Sequence, residues 1–338
     1  MSGLETFLDD GPGETWGVVC RDGEPRHIFL AREEDVAATR LGAESIGRVT
    51  RLLPGGGGAF VDLGAGEPFG FLAKGKVAVG DSVRVSVMAE PRGDKGPALK
   101  LTGDGQGAPR LLHPGPDVAG WLAREAPGVE PQSGPAAIEV VREAREIALA
   151  STILEGGVDV AVERTRAMVT VDIDHAGEPG RDGVRARGEA NHRGLDISAR
   201  RIALKRWGGL VAIDLIGTSM APEPVMAAAR NSFRDAGVAF GPLSRFGVLQ
   251  LSVPWQMTPI EEALFGPSGS RRRRAGQIEA VRSLRFTLAT RRSLPWVTLV
   301  VPEEERGEMA GLVGDLGPRA RLEVGMTLLP GTYELQEG

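Results

Sequence analysis

Two aspartates in one predicted strand have the residue type and spacing to hold a metal ion. Residues 168–177, MVTVDIDHAG, open on strand-forming side chains, and alternate side chains of a strand share one face. Asp172 and Asp174 therefore point to the same side. Neighbouring carboxylates repel each other unless a cation lies between them, and a divalent metal ion is the common one. A turn or edge position for both carboxylates is the alternative that the pattern leaves open.

A third aspartate, Asp214, ends the apolar run LVAI at residues 210–213. This run is too apolar for an exposed strand and predicts a buried central strand. A carboxylate at the end of a buried strand needs a partner. A metal ion shared with Asp172 would supply one, and capping of the next helix is the alternative.

Composition narrows the class of protein. The 338 residues, 41% hydrophobic and 25% charged, predict a globular chain of two or three domains. A net charge of −5 gives no general attraction to nucleic acid, so such a site must be a local basic patch. The lone Cys20 excludes an intrachain disulfide, which suits a reducing cytoplasm. The acidic N-terminus predicts no signal peptide, and no apolar run reaches the ~20 residues of a membrane span.

The N-terminal third predicts a small barrel. Residues 46–102 contain five short apolar segments separated by glycines, a pattern typical of the OB-fold, although another small barrel or a sandwich also fits it. Residues 14–32 predict two more strands, joined by a turn at Asp22 and Gly23. The predicted OB-fold domain covers residues 14–103, and a Gly/Pro-rich linker with one short helical piece follows at residues 104–135.

The barrel sequence resembles a known RNA-binding module. Residues 46–74, IGRVTRLLPGGGGAFVDLGAGEPFGFLAK, are similar to the S-one-type RNA-binding domain, in the version found in the ribonuclease E/G family. The segment RGDKGPALKL, at residues 92–101, matches the same domain. The resemblance covers the barrel and implies that this part of the chain binds single-stranded RNA.

The resemblance assigns roles to individual barrel residues. Phe60 and Phe71 fall where the family stacks RNA bases, and base stacking contributes ~1–3 kcal/mol per base. Lys95 and Lys100 fall near the RNA backbone. A position in the barrel core is the alternative for the two phenylalanines, because Phe60 lies between Ala59 and Val61.

Residues 136–264 predict an α/β unit in which two acid-bearing strands are separated by a helix at residues 189–206. This order is typical of an RNase H-like domain, and the segment also resembles the catalytic half of ribonucleases E and G. The resemblance places the family's two metal-binding aspartates at Asp172 and Asp214, and its hydrogen-bonding asparagine at Asp174. It implies hydrolysis of single-stranded RNA by an endonuclease that uses Mg²⁺, with Mn²⁺ as a second possible metal.

A Gly-rich polar segment follows the first acidic strand. It carries three arginines that predict a local phosphate patch. They are Arg181, Arg185 and Arg187. A protein of the same fold that binds RNA without cleaving it is the alternative function.

The chain also departs from the family. Asp174 replaces an asparagine, and the segment before residue 150 is too short for the family's domain that binds RNA 5′ ends. The family's cysteine-bound zinc link is missing, so we expect no zinc and no zinc-linked dimer; the oligomeric state stays open. Residues 271–338 predict a small α/β C-terminal domain like the family's. They begin with Arg271–Arg274, which predict either an RNA contact or a solvated loop.

Overall fold

A computed structural model shows a mixed α+β chain, as the sequence predicts. The structure describes residues 3–175, 183–217, 221–234, 237–266, 269 and 272–338. Three antiparallel strands come first, followed by a barrel, a six-stranded mixed sheet and a small C-terminal α/β unit. Within these ranges, every helix is too short or too polar to cross a membrane.

The first sheet is separate from the barrel. It consists of β1 (Leu4–Gly11), β2 (Glu14–Arg21) and β3 (Glu24–Arg32), in that order. Asp22 and Gly23 form the predicted turn, with φ of 54° and 81°, values that suit a two-residue hairpin. The prediction placed residues 14–32 in the barrel domain. They form β2 and β3 of this sheet instead, and β2 pairs with β1 along its whole length, because Leu4–Gly11 offers eight residues in register with it.

A closed five-stranded barrel follows. Its strands are β4 (Glu44–Leu52), β5 (Ala59–Asp62), β6 (Gly70–Leu72), β7 (Ser82–Ala89) and β8 (Ala98–Asp104). The order β5-β6-β8-β7-β4 closes through a second pairing between β4 and β5, and β6 runs parallel to β8. Alternate residues of these strands, such as Val61 and Val85, fill the core. The barrel is OB-like, in agreement with the sequence.

The segment predicted as a linker is built into the fold. Strand β9 (Arg110–His113) pairs with β4, and helix α1 (Val118–Glu125) covers the first sheet. Val118 and Leu122 are buried against Phe29 of β3. The short helix is confirmed, but residues 104–135 are not a free linker, since their apolar side chains pack on neighbouring elements.

One buried carboxylate joins the barrel to the rest of the chain. Glu90, just after β7, accepts hydrogen bonds from the backbone amides of Leu41 (3.2 Å) and Thr258 (2.9 Å). Nearby, the Arg92 guanidinium lies 4.4 Å from the centre of the Trp255 ring. These contacts fix the barrel beside the six-stranded sheet.

Within the described ranges, the six-stranded sheet is preceded by one helix, and two more helices connect its strands. In chain order its elements are α2 (Pro135–Leu149), β10 (Thr152–Glu155), β11 (Val158–Arg164), β12 (Val169–His175), α3 (Val184–Lys205), β13 (Gly209–Asp214), α4 (Pro222–Ser232), β14 (Ala239–Phe240) and β15 (Val248–Val253). The strand order is β10-β11-β12-β13-β15-β14, and only the β12–β13 pair is parallel among these described strands. One face packs on α3 through residues such as Val171 and Ile213.

Helix α3 begins five residues before its predicted start at residue 189. Arg185 and Arg187 therefore lie on a helix and not in a Gly-rich loop. Arginine, alanine and glutamate favour helix strongly enough to extend it across Gly188.

The C-terminal unit is an αβαββ arrangement, as predicted. After α5 (Ile260–Leu264), it contains α6 (Arg273–Thr290), β16 (Val297–Val301), α7 (Glu303–Gly314), β17 (Ala320–Val324) and β18 (Glu334–Glu337). Strand β16 is buried along its length, parallel to β17 and antiparallel to β18.

Buried charges attach α6 to the first sheet. Arg282 donates from Nε to Asp9 (2.9 Å) and from Nη2 to Glu14, and all three side chains are at most 5% exposed. Arg285 also pairs with Asp9, and Trp16 donates its ring N–H to Glu14 (2.6 Å). Burial opposes ionisation of Glu14, but Arg282 and the other donors outweigh it and lower the pKa of this carboxyl.

Candidate active site

Strand alternation places the predicted acids on one face of the sheet. In β12, Val171 and Ile173 are buried against α3, while Asp172 and Asp174 are exposed on the opposite side. The two side chains share a face, as predicted from the sequence. Both carboxylates remain exposed to solvent among the residues that the structure describes.

Strand register brings further carboxylates to the same place. Asp172 lies directly opposite Asp214 in the parallel β12–β13 pair. Asp174 lies opposite Asp159 in the antiparallel β11–β12 pair. Residues opposite each other in a sheet share a face, so four exposed carboxylates form one cluster at the end of three neighbouring strands.

Asp159 is a member of this cluster that the sequence analysis missed. It alternates with the buried Val158 and Val160 of β11, just as Asp172 alternates with Val171 and Ile173. The same alternation rule would therefore have identified it. Only the pairing of β11 with β12, which sets the register, was needed in addition.

The described residues leave the negative charge of the cluster without a cationic partner. Burial raises the pKa of the Asp172 carboxyl, and Asp214, Asp174 and Asp159 raise it further, in decreasing order. Asp174 accepts a hydrogen bond from the backbone amide of His175 (2.7 Å). Among the described residues, no lysine or arginine forms an ion pair with any of the four acids. Such a site attracts a cation.

Helix α3 holds both acidic strand ends from the other face. Gly194 packs directly on Ile173, the residue between Asp172 and Asp174, and a Cβ at Gly194 would overlap the Ile173 side chain. Asn191 is buried and bonds both backbone groups of Ile216: its Nδ2 donates to the carbonyl (3.1 Å), and its Oδ1 accepts from the amide (2.9 Å). Ile216 is two residues beyond Asp214, so Asn191 positions that strand end.

The donor set fits one kind of metal site. Mg²⁺ is commonly bound by one or two carboxylates, with water and substrate phosphates completing its coordination, and the pair Asp172 and Asp214 provides two. In the described part of the chain, no three His, Cys, Asp or Glu side chains converge closely enough to ligate one ion. A metal at this face would therefore depend on water and substrate for its remaining ligands.

The three predicted phosphate-binding arginines differ in their surroundings. Arg181 lies outside the described residues. The Arg185 side chain is 94% exposed and pairs with Glu189 at 3.0 Å. Arg187 is half-buried and packs against Gly217. A Cβ added at Gly217 would lie 3.6 Å from the Arg187 Cδ. Of the two described arginines, Arg187 is the one that packs against the turn that follows Asp214.

The arginine run near residue 271 is used partly within the protein. Arg271 lies outside the described residues. Arg272 donates to the Glu262 carbonyl at 3.1 Å, and Arg273 donates to the Glu304 carbonyl at 2.7 Å. Arg274 approaches Gly13 of the first sheet. These contacts attach the start of α6 to its neighbours.

The predicted stacking residues lie outside the barrel core. Phe60 and Phe71 are opposite each other on β5 and β6 and are half-buried, whereas Ala59 and Val61 point into the core. The two rings are 5.6 Å apart and tilted by 56°, and the Arg51 guanidinium lies 4.4 Å from the centre of the Phe60 ring. The alternative of a core position is wrong for both. An aromatic pair beside a cation suits unpaired bases.

One of the two predicted lysines faces the same side of the barrel as these rings. Ala98 lies opposite Phe71 in the parallel β6–β8 pair, so Lys100, two residues further along β8, faces the same side. Lys100 is exposed, and its neighbour Leu99 is buried. Lys95 is exposed in the turn that Arg92 and Lys95 close, at the beginning of that strand.

Replacing Phe71 by alanine is expected to weaken binding of single-stranded RNA by ~1–3 kcal/mol, because one stacking surface is lost. The ring lies outside the core, so the variant should still unfold cooperatively. Fluorescence anisotropy with labelled RNA and a thermal melt measure the two effects. Phe71→Tyr keeps the ring and should bind RNA like the parent. Loss of the cooperative melt in Phe71→Ala would show that the ring is structural.

Comparisons with family models and curated proteins identify no relative of this chain. No family model matches the chain, and no curated protein matches its sequence. The features that bear on function are therefore the in-register acids of β12 and β13 and the outer face of the barrel.

Proposed function

We propose that this chain is a divalent-metal-dependent endoribonuclease that hydrolyses single-stranded RNA in the cytoplasm, with the organisation of a compact ribonuclease E/G. The six-stranded sheet would act as the RNase H-like catalytic unit and the barrel as the RNA-binding unit. The observation that carries the proposal is the direct register of Asp172 and Asp214 on an uncovered sheet face.

The acids of the cluster have separate tasks in this proposal. Asp172 and Asp214 hold the metal ion. When bound, Mg²⁺ or Mn²⁺ polarises the scissile phosphate and lowers the pKa of an attacking water. Asp159 and Asp174 add negative charge beside the pair, which strengthens attraction for the cation. Asn191 keeps the end of β13 in place.

The barrel supplies affinity for the RNA strand. Phe60 and Phe71 stack on bases, and stacking on aromatic rings tolerates any base. Arg51 and Lys100 lie on the same outer face and pair with phosphates, while Lys95 adds a further positive charge in the turn before β8. A local patch of this kind is required because the whole chain carries a net charge of −5.

One observation favours a second candidate, an RNA-binding protein that does not cleave its ligand. In the described residues, the acids do not converge into a group of three metal ligands, and Asp174 stands where the family has asparagine. Incubation of labelled single-stranded RNA with the protein, in Mg²⁺ and in EDTA, decides between the two. Internal cleavage that requires Mg²⁺ supports the nuclease.

The rate of cleavage is expected to be the same for RNA that begins with a monophosphate, a triphosphate or a hydroxyl. Residues 103–150, where a domain for the RNA 5′ end would be inserted, contain β9, α1 and α2, which pack on the barrel and on the first sheet. Three RNAs that differ only at the 5′ end, compared at equal concentration, test this. A several-fold preference for the monophosphate would contradict it.

A further inference from the structure

A cavity of about 680 Å³ lies between α3 and α4. This volume is within the range of small-molecule sites, roughly 300–1,000 Å³. Most of its wall is aliphatic, and these side chains are Leu195, Ile216, Pro224, Val225 and Ala228. Such a wall suits a flat apolar group more than a strongly hydrated one.

The cavity also contains a positive charge for which the described residues offer no acidic partner. Arg187 lines it and is half-buried, and no acidic side chain pairs with it among the described residues. Arg185 lines it too, but Glu189 neutralises its charge at 3.0 Å. A partly buried guanidinium that no described acid neutralises attracts an anion, and phosphate suits its geometry.

The position of the cavity connects it with the carboxylate cluster. Ile216 and Gly217 form part of its wall, and Gly217 is three residues beyond Asp214, at most ~11 Å along the chain. The cavity is on the helix side of the sheet, and the acids face the other side. An RNA strand that bends around this edge of the sheet reaches both.

We propose that this cavity binds one nucleotide of the RNA strand, with the base against the aliphatic wall and the phosphate on Arg187. The inference rests on the proposed function and deepens it, because it assigns a second contact to the substrate beside the cleavage site. A ligand with a phosphate and an apolar body contacts both Arg187 and the aliphatic wall. Phosphate alone contacts only Arg187.

The test separates the two parts with uridine 5′-monophosphate, uridine and inorganic phosphate, titrated into the full chain by calorimetry. Arg187→Gln should weaken binding of the monophosphate about 10-fold, the usual effect of losing a charge-assisted hydrogen bond, and leave uridine unchanged. Ala228→Leu fills the aliphatic part and should weaken the monophosphate and uridine but not phosphate. Arg142→Gln removes an exposed, paired arginine on α2 and should change nothing.

A competition experiment identifies the natural ligand. Single-stranded RNA should displace labelled monophosphate from the parent protein, and Arg187→Gln should reduce RNA affinity. Equal monophosphate affinity in parent and Arg187→Gln, with normal folding by circular dichroism, would overturn the site. Failure of RNA to displace the monophosphate would overturn its assignment to the RNA strand. Because all these titrations contain EDTA, they measure binding alone, and loss of Mg²⁺-dependent cleavage would count only against the proposed nuclease.

Discussion

Asp172→Asn and Asp214→Asn are each expected to abolish Mg²⁺-dependent cleavage of single-stranded RNA and to leave RNA binding close to that of the parent. Each substitution removes one of the two carboxylates that lie in register on β12 and β13. A Mg²⁺ site with so few protein ligands loses both its hold on the metal and the activation of water. Binding persists because Phe60 and Phe71 are on a separate domain.

Stability provides a second measurement that does not depend on cleavage. Burial and three neighbouring acids raise the pKa of Asp172. Its ionised form therefore destabilises the folded protein once the pH exceeds the ordinary aspartate value, so at pH 7 in EDTA Asp172→Asn should melt at a higher temperature than the parent. Mg²⁺ should raise the melting temperature of the parent but not of the variant.

Asp174→Asn is the matched control, because it also removes one negative charge from the same strand face. Asparagine is the residue that the resembled family has at this position, so the variant should remain active. Cleavage by Asp172→Asn or Asp214→Asn at the rate of the parent would show that the metal site has been assigned to the wrong residues.

Arg282→Met is expected to lower the free energy of unfolding by about 3–5 kcal/mol, the range for breaking a buried ion pair. Methionine fills much of the arginine volume but leaves Glu14 and Asp9 without their main shared partner. Urea unfolding, followed by circular dichroism, measures the change. Arg291→Met is the control: Arg291 is 60% exposed and pairs with Glu337 at 2.6 Å, and such surface pairs contribute roughly 0–1 kcal/mol.

The cost of Arg282→Met should decrease in acid. The pKa of Glu14 is lowered in the folded parent, so the stability it contributes is present above pH 4.5 and is lost as the pH falls through the folded pKa. In the variant, burial of Glu14 remains and Arg282 is gone, so protonation relieves the folded state. A difference between parent and variant that stays constant from pH 7 to acid would contradict the proposed role of this network.

The acidic face was predictable because it depends on local alternation. Asp172 and Asp174 alternate with buried Val171 and Ile173, and Asp214 ends an apolar run. The pairing of β12 with β13 puts Asp172 opposite Asp214, two residues that are 42 positions apart in the sequence. That register is set by packing on α3 and no local pattern specifies it, so from the residues alone it remained a hypothesis.

Other features depended on tertiary contacts that a sequence does not display. Asn191 is one polar residue among many in α3, and only the fold shows that it is buried against Ile216. The assignment of residues 14–32 to the barrel was wrong because the N-terminal strand, Leu4–Gly11, pairs with them. Strand propensity identifies a strand, but pairing partners follow from the whole fold.

Cleavage of an end-labelled single-stranded RNA by the purified parent and by Asp214→Asn, each with Mg²⁺ and with EDTA, tests the central claim most directly. We expect internal cleavage by the parent in Mg²⁺, none in EDTA, and none by the variant, although both proteins shift the RNA in a binding assay. RNA that remains intact with the parent in Mg²⁺ while bound to it would contradict the claim and identify the chain as an RNA-binding protein.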